Sequence, residues 1–207
     1  MSKSKKKAQA AASGSAQRKI LAVLAAFLAG SLTLIAAIWL MMPRDATQPS
    51  SVGGPFTLTD QNGKTVTDAT FKGEPFLVFF GFTHCPDICP TTLYEMSEVL
   101  QRLGPDASKT AALFVTVDPE RDTSAALKQY VSSFHPRIFG LTGSEAQIDA
   151  IKKEYRVFAR KVPTEDGGYT MDHTAVVYLM GKDGRFVAPF NLQRSADEAA
   201  ADLRKRL

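Results

Sequence analysis

Residues 76–90 have the sequence FLVFFGFTHCPDICP, and the centre of the fold can be predicted from them. Its first part, 76–82, is a short continuous apolar run, which is typical of a central strand buried on both faces. Pro90 suits the first turn of a helix. Apolar residues then recur at helical spacing up to Gly104: they are Leu93, Met96, Leu100 and Leu103. The stretch therefore predicts a strand, a cysteine loop and a helix in succession.

Strand and helix patterns alternate in the rest of the chain. The predicted strands are 112–117, 138–141, 175–179 and 185–190, and the predicted helices are 123–134, 144–155 and a closing helix capped by Ser195. Before them, Asn62-Gly63 between 56–59 and 64–66 predicts a hairpin. Residues 163–170 are polar and predict an irregular excursion. The fold class is α/β, with a central mixed sheet, mostly parallel at its centre, flanked by helices.

Residues 20–42 contain no charged side chain. As a helix, they would extend roughly 34 Å, enough to cross a hydrocarbon core of ~30 Å. A cleaved signal peptide is the alternative, but its apolar region would be shorter and would end at a small-residue cleavage site. Pro43-Arg-Asp-Ala46 contains no Ala-x-Ala. We therefore predict an uncleaved transmembrane anchor.

A basic tail precedes this anchor. Residues 1–19 carry six lysines and arginines and no acid, which favours a cytoplasmic position. The formal net charge of +4 depends on the tail, because without it 19 basic residues face 21 acidic ones. The charge thus indicates topology and gives no reason to expect nucleic-acid binding.

These patterns predict a single-pass protein of a bacterial inner membrane with its amino terminus in the cytoplasm. Residues 1–19 form the tail, 20–42 the anchor, 43–54 a tether rich in Pro, Ser, Thr and Gly, and 55–207 one domain in the periplasm.

Cys85 and Cys89 are the only cysteines of the chain. They follow the predicted central strand and stand at the amino end of a helix, where open α/β sheets bind ligands. The helix dipole and free N–H groups there predict a lowered thiol pKa. A disulfide across so short a loop would restrict little of the unfolded chain. The pair is therefore interpreted as a redox pair or a metal clamp.

His173 is the candidate third ligand among the three histidines. We expect it to begin the strand that includes 175–179, so that the loop entering this strand folds against the cysteine loop. Two thiolates and one imidazole suit Cu(I), whereas structural zinc sites take four ligands. Taken alone, a histidine at a strand edge is more often a surface or hydrogen-bonded residue. His84 is predicted to be a bystander, and His135 to cap the end of a helix.

Two acidic positions lie close to these motifs in sequence or in the predicted fold. The DPERD segment, 118–122, follows a predicted strand that ends beside the cysteine loop. A helix cap by Asp122 or Thr123 explains the segment at least as well as a role in the site. Asp172 stands next to His173, where a carboxylate would orient the imidazole ring.

Three motifs in this order resemble the Sco/SenC family: 81–90 (GFTHCPDICP), 117–123 (VDPERDT) and 172–175 (DHTA). The resemblance covers roughly 53–207. It implies a thioredoxin-like fold and a membrane-anchored copper-binding protein that assists assembly of the binuclear copper centre of cytochrome c oxidase. It also implies copper ligation by Cys85, Cys89 and His173, and links Asp118 to the organisation of the site.

The implied function is that of a metallochaperone, which receives a copper ion from an upstream periplasmic donor and passes it to oxidase subunit II. The alternative is a thiol–disulfide oxidoreductase in which Cys85 and Cys89 reduce the copper-binding cysteines of the same target and a separate reductant recycles them. The cysteine spacing is one residue longer than the usual Cys-x-x-Cys. A peroxiredoxin-type peroxidase is excluded, because its Pro-x-x-x-Thr-x-x-Cys pattern fails at both cysteines.

Overall fold

The computed structural model describes residues 22, 24–37 and 52–207. Residues 22 and 24–37 belong to one compact unit, and 52–207 belong to a second. In the first unit, 24–37 are helical and form α1. The predicted anchor at 20–42 extends beyond the described residues at both ends. The basic tail at 1–19 and most of the tether at 43–54 also lie outside them. Within the described ranges, we find no helix with the length and apolar character that a bilayer crossing requires.

The second unit alternates strands and helices along its described residues. Its strands are β1 (Thr57–Asp60), β2 (Thr65–Thr67), β3 (Phe76–Gly81), β4 (Ala111–Thr116), β5 (Ile138–Thr142), β6 (Ala159–Pro163), β7 (Tyr169–His173), β8 (Val177–Met180) and β9 (Phe186–Pro189). Its helices are α2 (Asp68–Phe71), α3 (Ile88–Leu103), α4 (Ser124–Val131), α5 (Glu145–Glu154) and α6 (Ala196–Arg204), with a 3-10 helix at Gly104–Lys109.

Seven strands form one mixed sheet in the order β2-β1-β5-β4-β3-β8-β9. The central strands β3, β4 and β5 are parallel, and β8 pairs antiparallel with β3. Every residue of β3 and β4 is buried, as the continuous apolar runs predict. The predicted mixed sheet with a mostly parallel centre is confirmed.

Local sequence signals fix the boundaries of several elements. Gly63, at φ +80°, closes the β1–β2 turn, a conformation that costs a glycine little. Ser144 and Ser195 cap α5 and α6 in reciprocal capping boxes. Thr123 caps α4 by accepting the N–H of Ala126, so Asp122 is not the cap of this helix.

The irregular segment predicted at 163–170 contains the turn at 164–168 of a second, two-stranded sheet, and only its end residues belong to the strands. Strands β6 and β7 pair antiparallel, with Ala159 opposite His173 and Pro163 opposite Tyr169. We refer to this hairpin as the β6–β7 ribbon. Its residues are exposed or half-buried, so no continuous apolar run indicated a strand. Our prediction that His173 begins the next strand of the main sheet was also wrong: His173 is the last residue of β7.

The topology gathers three chain segments at one edge of the main sheet. Strands β3 and β4 are parallel, so the cysteine loop and the DPERD segment leave the sheet side by side, and Val117 N–H donates to Gly81 O at 2.8 Å. Strand β8 runs the opposite way and enters the sheet at this same edge, a few residues after His173.

Candidate metal centre

The cysteine loop makes a tight turn between β3 and α3. The N–H of Cys85 donates to Phe82 O at 3.3 Å, and α3 begins at Ile88 directly afterwards. Cys89 lies in the first turn of α3 and is fully buried, whereas Cys85 is half-buried. The backbone N–H of Cys89 donates to Cys85 Sγ at 3.3 Å. The helix start therefore aims a donor at the more accessible sulfur.

Gly81 makes room for the buried sulfur. A Cβ atom on this residue would lie 2.8 Å from Cys89 Sγ and 2.6 Å from a ring carbon of Phe114. Both separations are shorter than real Cβ contacts allow. The last position of β3 therefore has to be a glycine for Cys89 to occupy its place.

His173 reaches the sulfurs from the end of the β6–β7 ribbon. Its ring meets Phe82 edge to face, with the centroids 5.8 Å apart, and lies 6.4 Å from the ring of Phe79. Its Nδ1 is 3.1 Å from Thr174 O. A carbonyl oxygen can only accept a hydrogen bond, so this contact places the ring proton on Nδ1 and leaves the lone pair on Nε2.

The three predicted ligands come together. Nε2 of His173 is 3.8 Å from Cys89 Sγ, and one ligand atom from each of Cys85, Cys89 and His173 lies within 4.8 Å of the other two. Both cysteines are free thiols. Two sulfurs and one imidazole nitrogen at this separation can close around a single soft metal ion.

The pKa of Cys89 differs from our prediction. Burial raises the pKa of this thiol above its ordinary value, and the charges of Cys85 and Asp122 are among the further causes that raise it. The helix dipole was expected to lower the pKa, but complete burial outweighs it. A metal ion at this site must therefore displace the Cys89 proton, so its affinity rises with pH.

Asp118 is buried and connects the DPERD segment to the β6–β7 ribbon. Its carboxylate accepts from Arg121 Nε and from the hydroxyl of Tyr169, the latter at 3.0 Å. Arg121 also donates to Tyr169 O at 3.0 Å, and its guanidinium stacks 3.8 Å from the Tyr169 ring centroid. Asp118 thus acts on the ribbon that carries His173 and does not touch the ligand atoms.

Asp172 has a different place from the one we predicted. Its carboxylate pairs with Arg160 across the ribbon, at 3.2 Å and in an exposed position. Successive side chains of a strand point to opposite faces, so Asp172 points away from the face that His173 uses. The carbonyl of Thr174 orients the imidazole instead.

Asp122 is the residue of this region that sequence reasoning missed. It is fully buried and accepts hydrogen bonds from the backbone and hydroxyl of Thr83, two residues before Cys85. The sequence suggests either a helix cap by Asp122 or Thr123 or a role of the DPERD segment in the site. The adjacent Thr123 is the better capping residue, and this leaves the preceding acid free for another role.

The other two histidines lie outside the cluster. His84 is exposed, and its Nδ1 lies 3.1 Å from the Thr83 hydroxyl. His135 Nδ1 accepts the backbone N–H of Arg137 at 3.1 Å. The backbone N–H of His135 donates to Ser97 Oγ, so this residue joins α3 to the start of β5 and does not cap α4 with its ring.

The fold and the site define a thioredoxin-like domain with a Cys-Cys-His cluster at the carboxyl edge of its sheet. The family model described as SCO1/SenC matches residues 44–207, and the chain belongs to this family. The SCO2 homolog of Bos taurus mitochondria is 42% identical over 167 residues, which cover 79% of this chain and 63% of that protein. The chain thus spans less than two thirds of this relative.

Solved structures agree with this assignment. Bradyrhizobium japonicum ScoI with copper bound is 62% identical, with a TM-score of 0.74 over 75% of this chain and 99% of that one. BsSco, in which a disulfide switch was identified, is a member of the Sco family of cytochrome c oxidase assembly proteins. It is 27% identical, with a TM-score of 0.59 over 77% of this chain and 96% of that one.

Proposed function

We propose that this protein is a copper metallochaperone that binds one copper ion through Cys85, Cys89 and His173. In this proposal it assists assembly of the binuclear copper centre in subunit II of cytochrome c oxidase. The ion is cargo: the protein holds it reversibly and passes it on by exchange of ligands.

One observation carries the proposal: two thiols and an imidazole nitrogen lie within 4.8 Å of one another at an accessible edge of the domain. Soft sulfur ligands favour copper, and a low coordination number suits Cu(I). Three ligands also leave a position at which an incoming ligand can attack. The relative with 62% identity, solved with copper bound, supports the same choice of metal.

Transfer to the target tests the proposed role. Copper-loaded chain is mixed with the copper-free, reduced copper-accepting domain of subunit II, and the metal content of each protein is measured after separation. We expect copper to move to the acceptor. The matched arm uses copper-free reduced chain, which should deliver no metal. Retention of copper by the chain in the presence of excess acceptor would contradict the metallochaperone proposal.

A second candidate function is reduction of the copper-binding cysteines of the same target. The half-buried Cys85 beside the buried Cys89 is the arrangement of an attacking and a resolving thiol, and the relative BsSco has a disulfide switch. In this reaction Cys85 thiolate attacks the target disulfide, and Cys89 then displaces the reduced target. The chain ends as a disulfide and the target gains two electrons and two protons.

Thiol counting in the same mixture separates the two functions. An oxidised acceptor domain is incubated with copper-free reduced chain, and the free thiols of both proteins are quantified. Appearance of two acceptor thiols with loss of two chain thiols supports the reductase. Unchanged thiols on both sides would remove this candidate. Oxidised chain should also lose Cu(I) binding, because a disulfide offers no thiolate.

We further propose that the chain is anchored in a bacterial inner membrane by residues 20–42, with its copper-binding domain in the periplasm. The uncharged stretch and the basic flank support this topology. Large apolar side chains are also exposed along α1, among them Leu24, Phe27 and Leu32. An upstream periplasmic copper donor and a thiol reductant would be its other partners.

Protease protection tests the topology. Protease added to spheroplasts should digest 52–207, and alkaline carbonate should fail to extract the intact chain. Digestion only after lysis of the inner membrane would place the domain on the cytoplasmic side and contradict the proposal.

A further inference from the structure

Asp122 is a fully buried carboxylate at the junction of the cysteine loop and β4. Oδ1 accepts from the Thr83 hydroxyl at 2.6 Å, and Oδ2 accepts from the Thr83 N–H at 3.0 Å and the Thr116 hydroxyl at 2.6 Å. The Thr116 hydroxyl already accepts the N–H of Asp118 at 2.9 Å, so its own hydrogen points to Asp122. All three donors are thus directed at the two carboxylate oxygens of Asp122.

The Asp122 carboxylate has no cationic partner among the described residues. Asp122 takes part in none of the ion pairs within 52–207, whereas neighbouring Asp118 pairs with Arg121. A buried unpaired carboxylate is costly to keep. No ion pair therefore accounts for an acidic residue at this position.

A neutral asparagine could form the same set of bonds. Its carbonyl oxygen would take the place of Oδ2, and its amide would donate to Thr83 Oγ1. The Thr83 hydroxyl would then turn to His84 Nδ1, which already lies 3.1 Å away. Geometry alone therefore leaves the negative charge of Asp122 unexplained, and Asp122→Asn removes this charge while keeping the loop in place.

The carboxylate lies beside the thiol pair, because Thr83, which donates to it twice, is two residues before Cys85. Burial is the largest cause that raises the pKa of Cys89, and the charge of Asp122 raises it further. For the phenol of Tyr130, burial again comes first, followed by the charges of Cys89, Cys85 and Asp122. The Asp122 carboxylate is thus near enough to the thiol pair for its charge to act on a bound ion.

The net charges of the two copper complexes predict which of them the Asp122 carboxylate disfavours. Two thiolates and the neutral imidazole carry a net charge of −1 with Cu(I) and zero with Cu(II). A fixed negative charge nearby disfavours the first complex relative to the second. We propose that Asp122 is a positioning residue of the metal centre that holds the cysteine loop on β4 and biases bound copper toward Cu(II). This inference rests on the proposed copper binding by this chain.

The test compares affinities for the two copper ions. Cu(I) and Cu(II) affinities of the full chain are measured separately, by competition with chelators of known affinity, for wild type, Asp122→Asn and Asp60→Asn. Asp60 is a matched control: it is a buried carboxylate that accepts two backbone N–H groups in the distant β1–β2 turn.

We expect the ratio of Cu(II) to Cu(I) affinity to fall about tenfold in Asp122→Asn. This equals a rise of about 59 mV in the potential of bound copper. The ratio should be unchanged in Asp60→Asn.

Three results would overturn the inference. An unchanged ratio in folded Asp122→Asn refutes the role of the charge and leaves the proposed function intact. An equal fall in Asp60→Asn shows that neutralising any buried acid has this effect. If wild type binds neither copper ion, the proposed function fails and the inference fails with it. Should Asp122→Asn not melt cooperatively, Asp122→Ser is the second neutral variant, and an unchanged ratio in that variant is equally decisive.

Discussion

The cysteine loop and the β6–β7 ribbon bring their ligands to one point by different means. The loop joins a strand with no exposed residue to a long helix, and Gly81, Phe82 and Cys89 are buried in the core. The ribbon is a separate two-stranded sheet whose residues are exposed or half-buried. The sulfurs are therefore fixed by the core, whereas His173 depends on a few specific contacts.

These contacts are few enough to name. The ring of His173 packs on Phe79 and Phe82, and the ribbon is held to the DPERD segment through Tyr169 and through an ion pair between Lys161 and Glu120. A metal ion bound to all three ligands would add a further link between the ribbon and the core. Disturbing the two regions should accordingly have unequal effects on copper binding.

The largest effect on copper binding is expected from the cysteine loop, which the core holds in place. Cys85→Ser and Cys89→Ser each remove one of two soft ligands, and we expect Cu(I) binding to be lost altogether. Metal content after gel filtration with one equivalent of Cu(I) measures this. His84→Ala is the control in the same loop and should bind one ion. One-to-one binding by either serine variant would show that the pair is not the site.

A smaller loss of copper affinity is expected at His173, the ligand on the β6–β7 ribbon. His173→Ala should lower copper affinity by more than about 100-fold, because even residues outside the ligand set typically contribute 10–100-fold. Competition with a chelator of known affinity gives the value. His135→Ala is the matched control and should bind as wild type does. Equal affinities for His173→Ala and wild type would remove His173 from the site.

The attachment of the ribbon should matter only through His173. Tyr169→Phe deletes the hydroxyl that donates to buried Asp118, and we expect copper affinity to fall about tenfold. Adding Tyr169→Phe to His173→Ala should cause no further loss, as a double-mutant cycle can show. Tyr94→Phe, at an exposed tyrosine of α3, is the control. Additive losses would mean that Tyr169 acts independently of the histidine.

The smallest effect is a pH-dependent contribution of His135 to the free energy of unfolding. Burial, and next the charge of Arg137, lower the pKa of His135, whose Nδ1 accepts the Arg137 N–H. The folded state therefore prefers the neutral ring. This contribution is fully present above the ordinary histidine pKa near 6.5 and is lost as pH falls through the lowered folded pKa.

Urea unfolding of wild type and His135→Gln from pH 7.5 to 5 measures this contribution. The difference between the two proteins should shrink toward acid by less than about 1 kcal/mol, since the ring is partly screened by solvent. A difference that grows as the pH falls would show that the sign is wrong.

The same contrast explains what the sequence could predict. Strands β3 and β4 are continuous apolar runs, and Ser144 and Ser195 stand at the predicted helix starts, so the main sheet and its helices follow from local signals. The ribbon has only exposed and half-buried residues, in no regular alternation, around a polar turn, and gives no such signal. Its pairing depends on tertiary contacts, and it places His173 at the end of β7, before the strand that we predicted to begin there.

The residues that support the site were harder to predict for a related reason. Asp118 and Asp122 occur in one short motif, yet Asp118 binds the ribbon side and Asp122 binds the cysteine side. Which carboxylate contacts which segment depends on the direction of side chains in a turn. Neither periodicity nor spacing contains that information, and Asp172, adjacent to His173 in sequence, points elsewhere.

Copper binding would also depend on Gly81, a residue that has no side chain with which to bind a metal ion. Any side chain there would push against the sulfur of Cys89 and the ring of Phe114. A variant at this position could keep both cysteines and the histidine and still lose the function. A change at this glycine should therefore be weighed as seriously as the loss of a cysteine.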